Sequence, residues 1–193
     1  MEILLDCDGV CNDLLGYALR CVNAPLHRDE VMTHDFARLL AADVRRYDQL
    51  LELMDSPGFW AEIPPLEDAQ AGVEALRRLG HTLTWVTSPW PSCVGWETVR
   101  RRWLHRYFEA GHDEVAIVPG PLKHKVAGHV LIEDRPDILQ SWKACWLEGL
   151  AILHPQPYNR PGLADTRAWP GEIGHFPRIG WPEIVETIKE YVG

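Results

Sequence analysis

Short apolar runs that alternate with helix-patterned stretches constrain this chain more than any other feature. EILLD (2–6), HTLTWVTS (81–88), EVAIVPG (114–120), HVLIED (129–134) and LAILHP (150–155) read as five strands. The second is rich in β-branched residues and is entered through Gly80, after the amphipathic stretch DAQAGVEALRRLG. The chain closes on WPEIVETIKEYV, a helix with Pro182 in its first turn. Strands separated by helices call for crossover connections, so the expected fold class is α/β with a central parallel sheet.

Between Asp13 and Pro64 the pattern changes. LLGYALRCVN and FARLLAADVRRYDQLLELM read as helices with no strand between them. A helical insertion directly after the first strand has the position of a lid over that strand's carboxyl end. The expected division is an α/β core of residues 1–13 and 65–193 and a helical cap of residues 14–64, with Pro64 and Pro65 marking the return. The Pro/Gly-rich stretch 155–182 reads as loops whose tyrosine, histidine and arginines serve either packing or a site.

With 193 residues and 46% apolar composition the chain can bury a proper core. No apolar run approaches the ~20 residues of a membrane-spanning helix, and no signal-peptide pattern precedes the first strand. The expected location is therefore cytoplasmic, with the mature chain beginning at Met1. Five scattered cysteines without a C-x-x-C read as reduced thiols. A net charge of −9 speaks against a nucleic-acid polymer as partner. The basic cluster Arg100-Arg101-Arg102 has helical spacing and reads as a solvated face backed by Trp103 and Tyr107.

In a parallel sheet, ligands gather beyond the carboxyl ends of the strands. Asp6 and Asp8 follow the first strand, Thr87 and Ser88 end the second, and Glu133 and Asp134 end the fourth, with Lys123 just upstream. Those types suit phosphoryl transfer. A carboxylate approaching a phosphate at 4 Å meets repulsion of roughly 4 kcal/mol per unit-charge pair at an effective dielectric of ~20, and a bridging divalent cation reverses that sign. Magnesium takes hard oxygen ligands such as Asp6, the Asp8 carbonyl and Asp134. Asp8 is then free to manage protons, and Gly9 lets the chain turn tightly and present N–H groups to phosphate. Thr87 and Ser88 offer hydroxyl donors, and Lys123 positive charge.

The stretches DCDGVCND, FWAEIPPL, WVTSPW, LKHK and VLIEDRPD resemble the motifs of the haloacid dehalogenase superfamily phosphatases. Within it they are similar to the 5'(3')-deoxyribonucleotidases, the cytosolic type-C and mitochondrial group with bacterial and phage relatives. The likeness runs from Met1 to about Asp137, and PYNR beyond it resembles bacterial members. It implies a Rossmann-like core with a small helical cap after the first strand. It implies Asp6 as nucleophile, Asp8 as acid and base, and Mg2+ on Asp6, the Asp8 carbonyl and Asp134. Phosphate would be met by Gly9, Thr87, Ser88 and Lys123. Trp60, beside Phe59, stands where the family sets an aromatic residue against the base.

Three departures stand out. Glu133 replaces an aspartate, Leu14 replaces an aromatic residue, and Pro91 stands where a lysine often follows T-S-P, which turns attention to Arg100 as a phosphate contact. The reading is a Mg2+-dependent phosphatase hydrolysing (deoxy)nucleoside monophosphates through an aspartyl-phosphate. Its partner is a small nucleotide, with no membrane and, as among relatives, a homodimer as the assembly the resemblance implies. Rival readings are a phosphatase for another small metabolite and a binding module that keeps the fold without turnover.

Overall fold

The computed structural model describes residues 1–40, 42–160 and 176–192. Five strands, β1 (Glu2–Leu5), β2 (Thr82–Thr87), β3 (Val115–Ile117), β4 (Val130–Glu133) and β5 (Leu150–Leu153), form one sheet in the order β3-β2-β1-β4-β5. All pairings are parallel, with Leu5 of β1 facing Trp85 on one side and Ile132 on the other. The strands end slightly inside the apolar runs: Asp6 and Asp134 follow β1 and β4, while Glu133 is the last residue of β4 and pairs with Leu153 of β5.

β1 is central and buried on both faces, which is why EILL carries no polar alternation. Ile3 and Leu5 pack with Val73 of α5 (Ala69–Arg78), Trp103 of α6 (Trp96–Phe108) and Ile184 of α8 (Trp181–Val192). Leu4, pointing the other way, packs with Leu139 and Trp142 of α7 (Pro136–Cys145). Helices therefore cover both faces. The chain steps from β1 through β2 to β3 in one direction, then returns to lay β4 and β5 on the other side of β1. That reversal opens a crevice at the carboxyl ends of β1 and β4, where sheets of this kind bind ligands.

No strand lies between β1 and β2 among the described residues. This interval carries α1 (Leu14–Cys21), a 3-10 turn (Arg28–Glu30), α2 (Phe36–Leu39), α3 (Val44–Met54) and α4 (Pro57–Ala61). The stretch 36–54, expected as one helix, is two. Asp43 sits outside the second, and its carboxylate caps α3 by accepting from the Arg46 N–H at 3.2 Å. Helix α4 was not expected from the pattern; Ser56 caps it and Pro57 occupies its first turn. Met54, Phe59 and Trp60 form a core shared with Trp96 of α6.

The reading of Arg100-Arg101-Arg102 as one solvated face is corrected. Arg102 is exposed and Arg101 pairs with Glu97 at 2.9 Å, but Arg100 is 0% exposed. Trp96 four residues before it and Trp103 three residues after it share its helix face and turn it inward. The five cysteines are free thiols. Among the described residues no helix is long and apolar enough to cross a membrane. Of the Pro/Gly-rich stretch, residues 161–175 lie outside the described residues.

Candidate active site

Asp6 leaves β1 with its N–H still on the ladder, donating to the Ile132 carbonyl at 2.9 Å. The chain then turns through Gly9, which holds φ at +79°, a conformation other residues adopt only under strain. Space demands glycine there as well. A Cβ at this position would lie 2.2 Å from Asp134 Oδ2 and 3.0 Å from the Tyr158 hydroxyl. The Gly9 N–H donates to the Asn12 carbonyl at 3.1 Å, so its part in the site is close approach of the backbone.

Beyond β1 and β4 the carboxylates of Asp6, Glu133 and Asp134 each offer an oxygen within 4.8 Å of the others, and all three residues are buried. Lys123, from the 3-10 segment Gly120–Lys125 that precedes β4, donates to Asp6 Oδ1 at 2.6 Å and Glu133 Oε2 at 3.0 Å. One ammonium thus faces three carboxylates. Burial, then the charge of Glu133, pushes the Asp6 pKa well up. Burial likewise raises Glu133 to about 7 and Asp134 to about 6. Burial opposes the Lys123 ammonium, but Asp6 and Glu133 outweigh it and hold its pKa above the ordinary value.

Glu133 is engaged on both oxygens. Oε2 takes Lys123, while Oε1 accepts the N–H groups of Asp134 and Arg135 at 3.1 and 3.3 Å. The glutamate in place of aspartate therefore anchors the start of α7 as well as the lysine. Asp134 is held by the Tyr158 hydroxyl on Oδ2, and its carbonyl accepts from Asn159 Nδ2 at 2.8 Å.

Asp8 lies on the other side of the turn. Arg100 Nη2 meets its two oxygens at 2.8 and 2.9 Å, and Asn12 Nδ2 donates to Oδ1 at 2.8 Å. The guanidinium does not line the cavity, and its two Nη groups are taken by Asp8 and the Cys7 sulfur. Thr87, at the end of β2, is fully buried, and its hydroxyl has no hydrogen-bond partner among the described residues.

A cavity of about 190 Å3 joins these groups. Asp6, Asp8, Gly9, Ser88, Lys123 and Asp134 all line it, so six of the residues singled out in the sequence meet at one place. Phe59 and Trp60 are not brought there. They are 5% and 3% exposed within the cap core, and Trp60 Nε1 donates to the Met54 carbonyl at 2.7 Å. Their ring surface is spent on Tyr17, Trp90, Trp96 and each other. The cap instead presents Leu14, Leu15, His34 and Phe36 to the cavity.

In the loop after β5, sequence reasoning left Tyr158 open between packing and a site, and it did not single out Gln156; both line the cavity. Gln156 Nε2 donates to the Gly9 carbonyl, and its Oε1 accepts from Arg28 of the cap at 2.7 Å. Arg28 also holds Asp13 at 2.9 Å, at the point where the chain enters the cap. The signal there was PYNR, which begins one residue after Gln156.

The family model for 5' nucleotidase, deoxy (pyrimidine), cytosolic type C protein matches residues 1–172. No curated protein matches the chain in sequence. Among solved structures it is similar to a HAD family hydrolase from Deinococcus radiodurans R1 with bound phosphate and sodium. That pair shares 18% identity and a TM-score of 0.58 over 99% of this chain and 96% of that one. It is also similar to the D,D-heptose 1,7-bisphosphate phosphatases of Burkholderia thailandensis (12% identity, TM-score 0.55, 97% of each chain) and of B. bronchiseptica with magnesium and phosphate (14%, 0.55, 98% of each). At such identities the neighbours speak to the fold, a HAD Rossmann-like α/β architecture, while the sequence match speaks to the family. The chain belongs to the 5' nucleotidase, deoxy (pyrimidine), cytosolic type C protein family.

Proposed function

We propose that this chain is a magnesium-dependent phosphatase that hydrolyses deoxynucleoside monophosphates through an aspartyl-phosphate on Asp6. The observation that carries the reading is the convergence of Asp6, Glu133 and Asp134 around Lys123 at the sheet's crevice, beside Asp8 on the same cavity. Three buried carboxylates against one ammonium leave an excess of negative charge, and all their donors are hard oxygens. That set fits a divalent cation of the magnesium type. Asp6 and Asp134, with the Asp8 carbonyl, would hold it. When bound, the ion neutralises charge between carboxylate and phosphate, which otherwise repel.

In the first step an Asp6 oxygen attacks phosphorus, and the bond from phosphorus to the nucleoside oxygen breaks. That oxygen leaves with the proton of the Asp8 carboxyl group. In the second step water attacks the same phosphorus while Asp8 takes its proton. The bond to Asp6 then breaks, releasing phosphate and restoring both side chains. Lys123 and Ser88 stand on the cavity wall to meet phosphate oxygens, whereas Thr87 is fully buried and does not line the cavity. Phe36, on the cap side, offers a ring to the base in place of Trp60.

The test is phosphate release from a panel of deoxy- and ribonucleoside monophosphates, sugar phosphates and p-nitrophenyl phosphate, each with and without magnesium. Magnesium-dependent turnover with kcat/KM highest on a deoxynucleotide supports the reading. Preference for a sugar phosphate would move it to another small metabolite, and absence of turnover on every ester would end it.

A further inference from the structure

Arg100 bears a full charge with no exposed surface. Burying a guanidinium is costly unless it is paired and hydrogen-bonded, and a well-packed apolar residue is often the more stable choice for such a place. Packing alone is thus a poor reason for an arginine here. Its contacts suggest another. Nη2 reaches both oxygens of Asp8 at 2.8 and 2.9 Å, and Nη1 lies 2.8 Å from the Cys7 sulfur. Asp8 lines the cavity and Arg100 does not, so the guanidinium grips the carboxylate from the protein side.

Three tryptophans surround that guanidinium. The rings of Trp96, Trp60 and Trp103 lie 5.0, 5.4 and 5.9 Å from its central carbon. Trp96 and Trp103 belong to α6 of the body, whereas Trp60 belongs to α4, between β1 and β2. The charge therefore sits where the helical insertion meets the body. Aromatic faces attract the cation and exclude water, which strengthens its hold on Asp8.

We propose that Arg100 is a positioning residue for Asp8, and that Trp60 acts on the reaction through Arg100 rather than by touching the nucleotide. This rests on the reading above, in which Asp8 gives a proton to the leaving oxygen and takes one from water. Both transfers need one Asp8 oxygen turned to the cavity, and the side chain has two free torsions. Arg100 and the Asn12 amide fix them, because two nitrogens, Arg100 Nη2 and Asn12 Nδ2, make three hydrogen bonds to the two oxygens. Such alignment enters the rate of the chemical steps and leaves substrate affinity nearly untouched.

The experiment compares Arg100→Met, Arg100→Lys and Trp60→Leu with the wild type, on a deoxynucleotide and on p-nitrophenyl phosphate, with melting temperature measured alongside. Arg100→Met should lower kcat about 100-fold on both substrates with KM nearly constant. Arg100→Lys, which keeps the charge, should recover part of that loss. Trp60→Leu should lower kcat on both by about tenfold. Wild-type kcat in Arg100→Met overturns the proposal, as does a loss that Lys fails to recover at an unchanged melting temperature. Should Arg100→Met not fold, Trp60→Leu decides. A rise in KM confined to the nucleotide would put Trp60 on the base and overturn the proposal. A wild type without turnover removes this inference and the phosphatase reading together, whereas an active wild type with an indifferent Arg100→Met removes this one alone.

Discussion

Two walls enclose the cavity, and they hold their side chains in opposite ways. On the body side, Asp6, Lys123 and Asp134 line the cavity and Glu133 pairs with Lys123 outside the lining; all four are buried, and each is placed by a strand end or the segment just before one. On the cap wall, Leu14, Leu15 and Phe36 are apolar and come from short helices, α2 having only four residues, with His34 the polar exception. The ends of β1 and β4 and the ion pairs of Lys123 fix the first set, and every member answers to another's charge. The second set is fixed by packing, which tolerates substitution of similar volume. The difference teaches where each property resides. In the proposed phosphatase, chemistry would belong to the wall that cannot change one residue without unbalancing the rest, and substrate choice to the wall that can.

The sharpest way to break that division is on the body side. Asp8→Asn removes the proton carrier and leaves the buried Arg100 without its carboxylate, so kcat should fall by about 10^2 to 10^4, with the melting temperature separating lost chemistry from lost fold. Near-normal turnover of the purified variant would take Asp8 out of the proposed mechanism. The cap side should answer differently. Phe36→Ala should raise KM for nucleotides by about tenfold, the range of a lost apolar contact, and leave p-nitrophenyl phosphate almost unchanged. Steady-state kinetics on the two substrates separates these outcomes, and an equal loss on both would give Phe36 a structural part instead.

The same contrast explains what was legible in the sequence. Strand periodicity is local, so five apolar runs located five strands, and the polar residues at their ends were legible as neighbours before any pairing was known. Asp6, Asp8, Ser88, Lys123 and Asp134 required only that β1, β2 and β4 be adjacent in a parallel sheet. Arg100 was misjudged for a physical reason. An arginine triplet on a helix reads as solvated unless one knows that Trp60, from an insertion forty residues upstream, packs over its inward member. Phe59 and Trp60 matched a motif, but whether an aromatic pair faces a cavity or a core depends on tertiary neighbours such as Trp90 and Trp96. The break between α2 and α3 was carried by one capping aspartate, Asp43, within a long helical pattern. Gln156, Tyr158 and Asn159 act through single hydrogen bonds to Gly9 and Asp134, and no periodicity announces such contacts.

Everything in the proposed chemistry depends on the carboxylates of the body wall sharing one divalent ion, and thermal melting tests this directly. Folding raises the pKa of Asp6, of Glu133 to about 7 and of Asp134 to about 6. Groups shifted upward bind protons more tightly in the native state, so their contribution to stability is present below an ordinary carboxylate pKa of about 4 and is lost as pH rises through 6 to 7. A cation that compensates the ionised forms should therefore stabilise the protein more at about pH 7.5 than at about pH 5.5. The account predicts a magnesium-induced rise in Tm that widens between those two conditions and shrinks in Asp134→Asn. A Tm indifferent to magnesium at both would contradict it.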